Sequence, residues 1–494
     1  MTLELNKARH RRESLDLPYT HENDHFINGA YIPSTGDRRI EIVDPVTEEI
    51  WASVPDATPE DLERAVAAAD NAFPGWAALT AHERASILLR AADEIEARRE
   101  PLGYTNTREN GSPISETTNA ASNAASIFRY FAGLADWLDQ DDTRPFPNGV
   151  GETSVYKDPV GVCALIAPWN FPINLVVAKL APALLAGCTV VIKPASPTPL
   201  SVRFIVDALA AAGVPHGVVN VLTGSGRMGD RLVRHPKVRK VAFTGSTPVG
   251  RKIAAACGES LKPVTLELGG KSSAIVLEDA DLDHMSSVLI RSCMRNTGQT
   301  CYISTRILAP ESRYEDVVKM VARTVGEAPQ GDPLDEATVF GPMANRPQFE
   351  TVLKFLESAH QEGASIAAGG DRADMDSGFF VQPTVLSDVT PEMTVAREEI
   401  FGPIITILRY TDEDHAVELA NNTPFGLGGI VFSADEDKAR GVARRMNTGS
   451  VGINFFASNH SAPFGGRGDS GLGVEFGVEG LSAYLMPQSV HRRA

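Results

Sequence analysis

Between residues 160 and 268, short apolar runs alternate with helical stretches, and this alternation restricts the possible folds more than any other feature. Strands are predicted at 160–167, 189–193, 218–223, 238–243 and 264–268, and helices at 172–186, 199–212 and 247–257. Each of these helices is followed by a glycine that can end it in the left-handed conformation, namely Gly187, Gly213 and Gly258. Val/Ile/Leu-rich strands that alternate with helices are typical of a parallel sheet covered on both faces. The sequence therefore predicts an α/β fold with ligands bound beyond the carboxyl ends of the strands.

Helix signals precede this region, and further strands follow it. Thr58 and Pro59 combine an N-cap with a proline at the first helical position, and Thr80 with Glu83 forms a capping box. A third helical pattern extends over 115–138. Later strands are predicted at 272–277 and 304–308, around a helix that starts near Asp281.

Composition and charge exclude several classes of protein. The 494 residues carry 46 Lys and Arg against 63 Asp and Glu, and the net charge of −17 argues against nucleic-acid and anionic-membrane partners. The five cysteines show no Cys-x-x-Cys pair and no metal-ligand spacing, which predicts no bound metal, a reducing compartment and a cytoplasmic location. Residues 1–24 contain no apolar run, so we expect a flexible tail and not a signal peptide. Residues 159–178 lack charge, but prolines, asparagines and a glycine interrupt them, so we expect no membrane span.

Two glycine-rich turns connect a strand to a helix. Residues 224–229 match the dinucleotide fingerprint Gly-x-Gly-x-x-Gly, but they follow a middle strand and lack an evident acidic ribose partner about 20 residues further on. A phosphate contact and a plain glycine turn both remain open for them. Residues 243–250 are not a Walker loop, because Arg251 and Lys252 stand where Lys-Ser/Thr is required. Their backbone N–H groups at a helix N-terminus suit a cofactor phosphate, the alternative being a capped helix.

Glu267 and Cys301 are the strongest candidates for chemistry. Glu267 ends an apolar strand, so its carboxylate is expected at the ligand edge of the sheet. Cys301 follows the polar, glycine-containing turn 296–300, which can expose a thiol next to a base. The residues alone leave two readings open for each: a nucleophile or a small core residue, and a catalytic or a structural carboxylate. The other cysteines lie in helix or strand patterns and fit the core.

Seven motifs, in their order along the chain, resemble those of the aldehyde dehydrogenase superfamily, and the resemblance covers about 25–494. The motifs are Pro168-Trp169-Asn170-Phe171-Pro172, Lys193-Pro194, Phe243-Thr244-Gly245-Ser246, Glu267-Leu268-Gly269-Gly270-Lys271, Gly298-Gln299-Thr300-Cys301, Glu399-Ile400-Phe401-Gly402-Pro403 and Pro463-Phe464-Gly465-Gly466.

The resemblance implies that an aldehyde is oxidised to a free carboxylic acid with NAD or NADP. Cys301 would attack the aldehyde, and the Asn170 amide with the Cys301 backbone N–H would hold the oxyanion. Hydride transfer would leave a thioester, which Glu267 would hydrolyse as general base. Lys179 and Glu475 match a proton-relay pair in the family, the alternative being a buried ion pair. Two rival functions remain: a non-enzymatic protein on the same fold, and a cysteine acyl hydrolase without redox chemistry.

The resemblance also implies a set of cofactor contacts. Lys193 would bind the adenosine ribose, and Glu399 with Phe401 would hold the nicotinamide half. NAD-preferring members usually carry glutamate where Ser196 stands, and serine removes a charge that would repel a 2′-phosphate. We therefore predict that NADP is accepted. The remaining predicted lining residues are Ile166, Trp169, Gly226 and Ser246.

An apolar tunnel is predicted for the substrate. Ala178 stands where members that take semialdehyde acids have arginine, so we expect an uncharged aliphatic, aromatic or terpenoid aldehyde. Each lining residue has the alternative of simply packing the core. The predicted lining residues are Phe171, Leu175, Ala178, Thr300, Tyr302, Phe455 and Phe464.

Three structural parts are implied by the resemblance. A Rossmann-like nucleotide-binding domain would cover 25–136 and 159–267, and a catalytic α/β domain would cover 268–465. An oligomerisation arm would combine 137–158 with 476–494. Its apolar residues at 481–490 could add a strand to a neighbour's sheet, and a homodimer or homotetramer would result.

Overall fold

The computed structural model describes residues 21–493. The tail predicted for 1–24 therefore lies outside the described residues up to position 20. Its last four residues, 21–24, belong to the fold instead. The ring of His21 stacks on Tyr31 with centroids 4.1 Å apart, its carbonyl accepts a hydrogen bond from Arg203, and Asp24 begins the first strand.

The N-terminal part, up to residue 159, contains six strands and six helices among the described residues. The strands are β1 (Asp24–Ile27), β2 (Ala30–Pro33), β3 (Arg39–Val43), β4 (Ile50–Pro55), β5 (Thr143–Pro145) and β6 (Gly151–Pro159). The helices are α1 (Pro59–Ala77), α2 (Ala81–Glu96), α3 (Arg99–Asn110), α4 (Ile114–Thr117), α5 (Ala120–Ala132) and α6 (Ala135–Asp139).

The capping boxes at Thr58 and Thr80 are confirmed. Each threonine side chain accepts from the backbone N–H three residues later, and the carboxylate of that later residue accepts from the backbone N–H of the threonine. The third helical pattern, 115–138, is not continuous but forms α4, α5 and α6. Asn119 and Gly133, which have low helix propensity, stand at its two breaks.

The central part alternates as predicted. It consists of β7 (Val162–Ile166), α7 (Pro172–Ala186), β8 (Thr189–Lys193), α8 (Ser201–Ala211), β9 (Val219–Val221), α9 (Gly226–Arg234), β10 (Val238–Thr244), α10 (Thr247–Glu259) and β11 (Val264–Glu267).

The predicted ends of these helices are right at two positions and wrong at the third. Gly187 and Gly213 have φ values of 96° and 86°. Gly258 lies inside α10, which ends instead with Leu261 at a φ of 53°. The N–H of Lys262 donates to Cys257 O, so a left-handed leucine closes the helix in the Schellman arrangement.

The C-terminal part begins with a second alternation. It consists of β12 (Ser273–Val276), α11 (Leu282–Cys293), β13 (Arg306–Pro310), α12 (Tyr314–Glu327), α13 (Arg346–Gln361), β14 (Ser365–Ala368), β15 (Thr384–Ser387), α14 (Thr394–Arg397), β16 (Ile404–Tyr410), α15 (Glu413–Asn421), β17 (Phe425–Gly426), β18 (Gly429–Phe432), α16 (Glu436–Arg445) and β19 (Gly452–Ile453). The last elements are β20 (Arg467–Gly468), β21 (Gly471–Leu472), α17 (Gly477–Ser482) and β22 (Leu485–Arg493).

The first sheet has the order β2-β1-β9-β8-β7-β10-β11-β21, and its five central strands are parallel. Its register pairs Ile166 with Lys193 and with Phe243, and Thr244 with Glu267. The carboxyl ends of neighbouring strands therefore meet at one edge, where an α/β sheet binds its ligands. This register explains why residues so far apart in the sequence face one site.

The second sheet has the order β14-β15-β16-β13-β12-β18-β19 and is parallel except for β14. Both of its faces are covered by buried apolar clusters, so it forms a second α/β core next to the first. None of the described helices is long and apolar enough to cross a membrane.

A third sheet, β22-β6-β5, contains the predicted arm. Over nine residue pairs β22 runs antiparallel to β6, so the C-terminal segment adds its strand to the sheet of its own chain. Leu481 and Tyr484 are buried in the core around α7, so of the predicted segment 476–494 the strand that joins this sheet covers 485–493. The contact with a neighbour's sheet and the division into three parts otherwise remain predictions.

Candidate active site

A cavity of about 220 Å³ lies between the carboxyl edge of the first sheet and the second α/β core. It brings together six of the residues singled out in the sequence: Trp169, Asn170, Ser246, Cys301, Glu399 and Phe401. Thr244, Gly245, Leu268, Gly269, Gln348 and Thr351 also line it.

The loop between α11 and β13 presents Cys301 to this cavity. Asn296, Thr297 and Gly298 have φ values of 54°, 55° and 76°, so three consecutive residues adopt the left-handed conformation. Asn170 Nδ2 donates to Gln299 O, while Gln299 Oε1 accepts from the Ala344 N–H. These bonds tie the loop to both domains and hold the thiol in place.

Cys301 is half-buried, whereas the other four cysteines are buried. Burial raises the pKa of the Cys301 thiol well above its ordinary value, and the nearby carboxylates of Glu399 and Glu267 raise it further. The thiol is therefore neutral at neutral pH in the state described, and it needs a base to become a nucleophile.

Asn170 is 4% exposed and is fixed through its backbone and its side chain. Its carbonyl accepts from the side-chain amides of Asn110 and Asn296, each at 3.2 Å. One hydrogen of its Nδ2 group goes to Gln299 O, which leaves the second hydrogen as a donor near Cys301.

Glu267 ends β11 with a buried carboxylate, and neither of its oxygens has a hydrogen-bond partner among the described residues. Burial raises the pKa of Glu267 well above its usual range; the charge of Glu475 adds to the rise, and that of Lys179 opposes it. A carboxylate with a raised pKa can accept a proton near neutral pH. Because both carboxylate oxygens of Glu267 are buried without a donor, a water molecule or a proton is needed to satisfy them.

Lys179 and Glu475 form a buried ion pair, with 2.6 Å between Nζ and Oε1. Lys179 Nζ also donates to Thr244 Oγ1 at 2.6 Å, and Thr244 lines the cavity. The pair thus reaches from the cavity wall toward Glu267. The ion pair is observed, and the proton relay remains a prediction.

Glu399 and Phe401 close the cavity from the second domain. Glu399 Oε1 accepts from the Gly270 N–H at 2.8 Å, and its carboxylate lies so near Gly269 that a Cβ there would be 2.3 Å from Oε2. Burial raises the pKa of Glu399 to about 7. Phe401 has a φ of 56°, and its ring packs nearly perpendicular to that of Trp169, with the ring centroids 5.4 Å apart.

The sequence motifs missed Gln348, which lines the same cavity from α13. Its Nε2 donates to the carbonyls of Ile400 and Phe401, each at 2.9 Å, and so holds the strained segment that carries the phenylalanine. No local signal marks this glutamine, since its partners lie about 50 residues away in the chain.

The predicted adenosine end lies along the same sheet edge, outside the 220 Å³ cavity. Lys193 is buried and donates to its neighbour's carbonyl, and burial lowers the pKa of Lys193 to about 8. Ser196 Oγ donates to Gly224 O at 3.2 Å. Ile166 is buried at the end of β7, and Gly226 begins α9 with open space where its Cβ would be.

Asp56 is a second residue that the sequence did not single out. Its carboxylate accepts from the Ser225 N–H at 2.9 Å and so occupies the turn of the Gly-x-Gly-x-x-Gly match. It also raises the pKa of Lys193 against the effect of burial. Because a carboxylate stands where a phosphate would bind, the plain-turn reading of residues 224–229 is favoured.

The predicted substrate residues fall into separate places. Phe455, which is 61% exposed, and Phe464 line a neighbouring cavity of about 310 Å³. Tyr302 stacks on Phe456, another wall of that cavity, with ring centroids 4.9 Å apart. Phe171 lines a small pocket behind Asn170.

Three of the predicted lining residues pack elsewhere. Ala178 is 1% exposed within the core around α7, and Leu175 packs against that core. Thr300 is 3% exposed, and its hydroxyl donates to Arg295 O. Ala178 and Thr300 line neither the 220 Å³ nor the 310 Å³ cavity, and their place in a substrate tunnel remains a prediction.

Arg295 is a charged residue among the aromatic ones that the sequence did not indicate. Its guanidinium lies 5.2 Å from the centroid of Phe171 and donates to Tyr302 Oη at 2.7 Å. Its charge is balanced by Glu116, which accepts from both Nε and Nη2.

Two α/β cores, with a cavity between them that a half-buried thiol lines, are typical of an enzyme that uses a cysteine. The family model described as "Aldehyde dehydrogenase family" matches residues 31–490. The chain belongs to the aldehyde dehydrogenase family.

Named relatives and solved structures agree with this assignment. The chain is 48% identical to a geranial dehydrogenase of Castellaniella defragrans, over 94% of this chain and 98% of that protein. It is 41% identical to a betaine aldehyde dehydrogenase of Rhizobium etli, over 94% and 96%. It is similar to the structure of a cysteine-to-alanine mutant of aldehyde dehydrogenase C of Pseudomonas syringae with NAD+ and octanal, with a TM-score of 0.92, 38% identity, and 95% and 96% of the chains covered.

Proposed function

We propose that this protein oxidises an uncharged aldehyde to the carboxylic acid, with NAD or NADP as the hydride acceptor and Cys301 as the nucleophile. Two observations together carry this proposal. The half-buried thiol of Cys301 lines the 220 Å³ cavity, and Glu267, whose carboxylate has no hydrogen-bond partner and a raised pKa, ends β11 at the same sheet edge.

The first step forms a carbon–sulfur bond. Glu267 takes the thiol proton, which its raised pKa allows, and the sulfur attacks the carbonyl carbon. The carbonyl electron pair moves to oxygen, where the second hydrogen of the Asn170 amide and the Cys301 backbone N–H stabilise the charge. A single donor of this kind contributes about 3–4 kcal/mol to the stability of a transition state.

The residues present fit a nicotinamide cofactor. Gly269 leaves room for the Glu399 carboxylate to stand at the cavity wall, and Ser246 places the N-terminus of α10 in the lining. Lys193 and Ser196 would hold the adenosine ribose, and Glu399, Phe401 and Trp169 the nicotinamide half. The bound cofactor supplies an acceptor for the hydride that leaves the substrate carbon.

The last step releases the acid from the thioester on Cys301. Lys179 and Glu475 first carry the thiol proton away from Glu267; Glu267 then takes a proton from water, the oxygen attacks the thioester carbon, and the sulfur leaves as a thiolate. Lys179 and Glu475 then carry the proton away from Glu267 as a relay. Both the geometry of the ion pair and its bond to Thr244 support this role.

The substrate is an uncharged aldehyde with an apolar chain. Tyr302, Phe456 and Phe464 form an aromatic wall next to Cys301. Arg295, the nearby cation, is already paired with Glu116 and does not attract a substrate carboxylate. One relative is named geranial dehydrogenase, and another relative's structure contains octanal, which fits the same chemistry.

Absorbance at 340 nm tests the proposal. The parent protein, mixed with octanal or geranial and NAD or NADP, is expected to form the reduced cofactor, and Cys301→Ala is expected to form none. Cys257→Ala, which changes a buried cysteine far along α10, serves as the matched control and should retain activity. Hydrolysis of an ester without any change at 340 nm would favour the non-redox acyl hydrolase, and inactivity in both assays a non-enzymatic protein.

Two further predictions belong to this proposal. The protein works in the cytoplasm, a location that the five free cysteines support. It also works as a homo-oligomer joined through the arm, and the exposed apolar residues of that sheet support this assembly.

A further inference from the structure

We propose that a small monovalent anion, of the size of chloride, binds in an internal cavity of the second domain beside Lys271, Ser273 and Arg306. The cavity is separate from the one that holds Cys301. Its volume of about 10 Å³ corresponds to a single small occupant. Its walls include Lys271, Ser273, Ala420, Thr423, Gly426 and Thr448.

The fold places the three polar residues side by side. Lys271 lies on the loop that connects β11 to β12, Ser273 begins β12, and Arg306 begins β13. The two strands are parallel, and Ser273 is the register partner of Arg306. Arg306 Nη2 donates to the carbonyl of Ala420, which lines the cavity, so the guanidinium reaches the same wall.

Each of the three side chains has a buried polar atom without a hydrogen-bond partner. These atoms are Lys271 Nζ, Ser273 Oγ and Arg306 Nε. The residues are 2%, 2% and 3% exposed, respectively. A buried polar group without a partner is costly, and a buried charge is costlier still, so three such donors on neighbouring segments indicate a missing acceptor.

The positive charge at this place is not balanced by an ion pair. Among residues 21–493, neither Lys271 nor Arg306 has a carboxylate within ion-pair distance, and no acidic side chain lines the cavity. Burial and then the charge of Arg306 lower the pKa of Lys271 to about 7, although the carboxylates of Glu399 and Glu398 act against this fall. A bound anion would raise the pKa of Lys271 again, because its negative charge favours the protonated amine.

A water molecule would satisfy part of this site but not its charge. Water accepts at most two hydrogen bonds, whereas a halide accepts from all three donors and also neutralises one cation. The anion would keep Lys271 protonated, and the charge of Lys271 lowers the pKa of Glu399.

Bromide, a chloride analogue with a strong anomalous signal, provides the direct test. Crystals of the full-length protein are grown in sodium gluconate, soaked in sodium bromide and measured at the bromine edge. We expect an anomalous peak next to Lys271 Nζ that disappears in Lys271→Met. Lys240→Met is the matched control, because that buried lysine has its own partner, Thr265 Oγ1 at 2.8 Å, and its variant should keep the peak.

Melting temperature provides the second measurement and does not depend on activity. At equal ionic strength the parent should melt at least about 1 °C higher in bromide than in gluconate, and Lys271→Met should show no such difference. If Lys271→Met does not fold, Ser273→Ala, which removes only a hydroxyl, should reduce both the peak and the shift. A parent crystal with water or no density in this cavity, or a peak that persists in Lys271→Met, would overturn the proposal.

Discussion

At the scale of single residues, the charges around Glu267 control when it can act as a base. Burial and the negative charge of Glu475 raise the pKa of Glu267, and Lys179 lowers it. The base form exists above this pKa, so turnover should rise with pH along a limb that lies well above the ordinary value for a carboxyl group.

Glu475→Gln should move this limb to lower pH. The change removes the carboxylate that raises the pKa of Glu267 and leaves Lys179, which lowers it, without its partner. The expected shift is on the order of one pH unit, measured on kcat. Lys179→Met should move the limb the opposite way, so a shift of both variants in the same direction would contradict this account. Circular dichroism is needed as a control, since breaking a buried pair costs about 3–5 kcal/mol of stability.

We expect Asp56 to limit the use of NADP, which Ser196 is predicted to permit. Its carboxylate accepts from the Ser225 N–H, and the preceding residue, Gly224, accepts from the Ser196 hydroxyl, so both side chains flank one turn. Asp56→Asn should raise the ratio of kcat/KM for NADP to that for NAD by about fivefold, which is the effect of a ~1 kcal/mol repulsion. Asp70→Asn, a carboxylate on α1, is the control. An unchanged or lower ratio would show that Asp56 is too far from the 2′ position.

At the scale of elements, the loop before Cys301 depends on Gly298. With a φ of 76° and an imagined Cβ only 2.0 Å from Gly402 O, this position excludes any side chain. Gly298→Ala should displace the loop and cost at least about 3 kcal/mol of stability, together with most of the activity.

The matched control for that loop is Gly441→Ala. Gly441 lies in α16 with open space around its Cβ position, so alanine should be tolerated or stabilise by about 1 kcal/mol. Thermal unfolding and the 340 nm assay measure both variants. Retention of activity and stability by Gly298→Ala would refute the steric account.

Local sequence signals predicted the starts of two helices but not the end of a third. The starts of α1 and α2 were predictable because a capping box needs only residues three apart. The end of α10 was not, since Leu261 took the left-handed position although a glycine was available three residues earlier. A helix end depends on what the following chain must contact, and that information is not local.

At the scale of the whole molecule, the arm exposes an apolar face. Met486 and Val490 are 53% and 45% exposed on β22, and Tyr156, 52% exposed, faces the same side from β6 because it pairs with Gln488 between them. Exposed apolar residues grouped in this way are typical of an interface, so we expect the proposed oligomer to form through this face.

The variant Met486→Glu/Val490→Glu should therefore lower the oligomeric state measured by analytical ultracentrifugation, because burying two carboxylates at an interface is costly. Ile366→Glu is the control, as Ile366 is 50% exposed on β14, outside the arm. A doubly substituted protein that sediments like the parent would exclude this face as the contact.

Short-range patterns in the chain were enough to predict the alternating parallel fold, since periodicity and caps act over a few residues. The roles of Cys301 and Glu267 were predicted only through the resemblance of seven motifs to a known family. The surroundings of these groups were decided by long-range packing. Lys179 and Glu475 are 296 positions apart, Gln348 and Asp56 carry no motif, and Ala178 faces the core. Charges, donors and cavities arise where distant segments meet, and a pKa depends on that meeting because burial and nearby charge act through space.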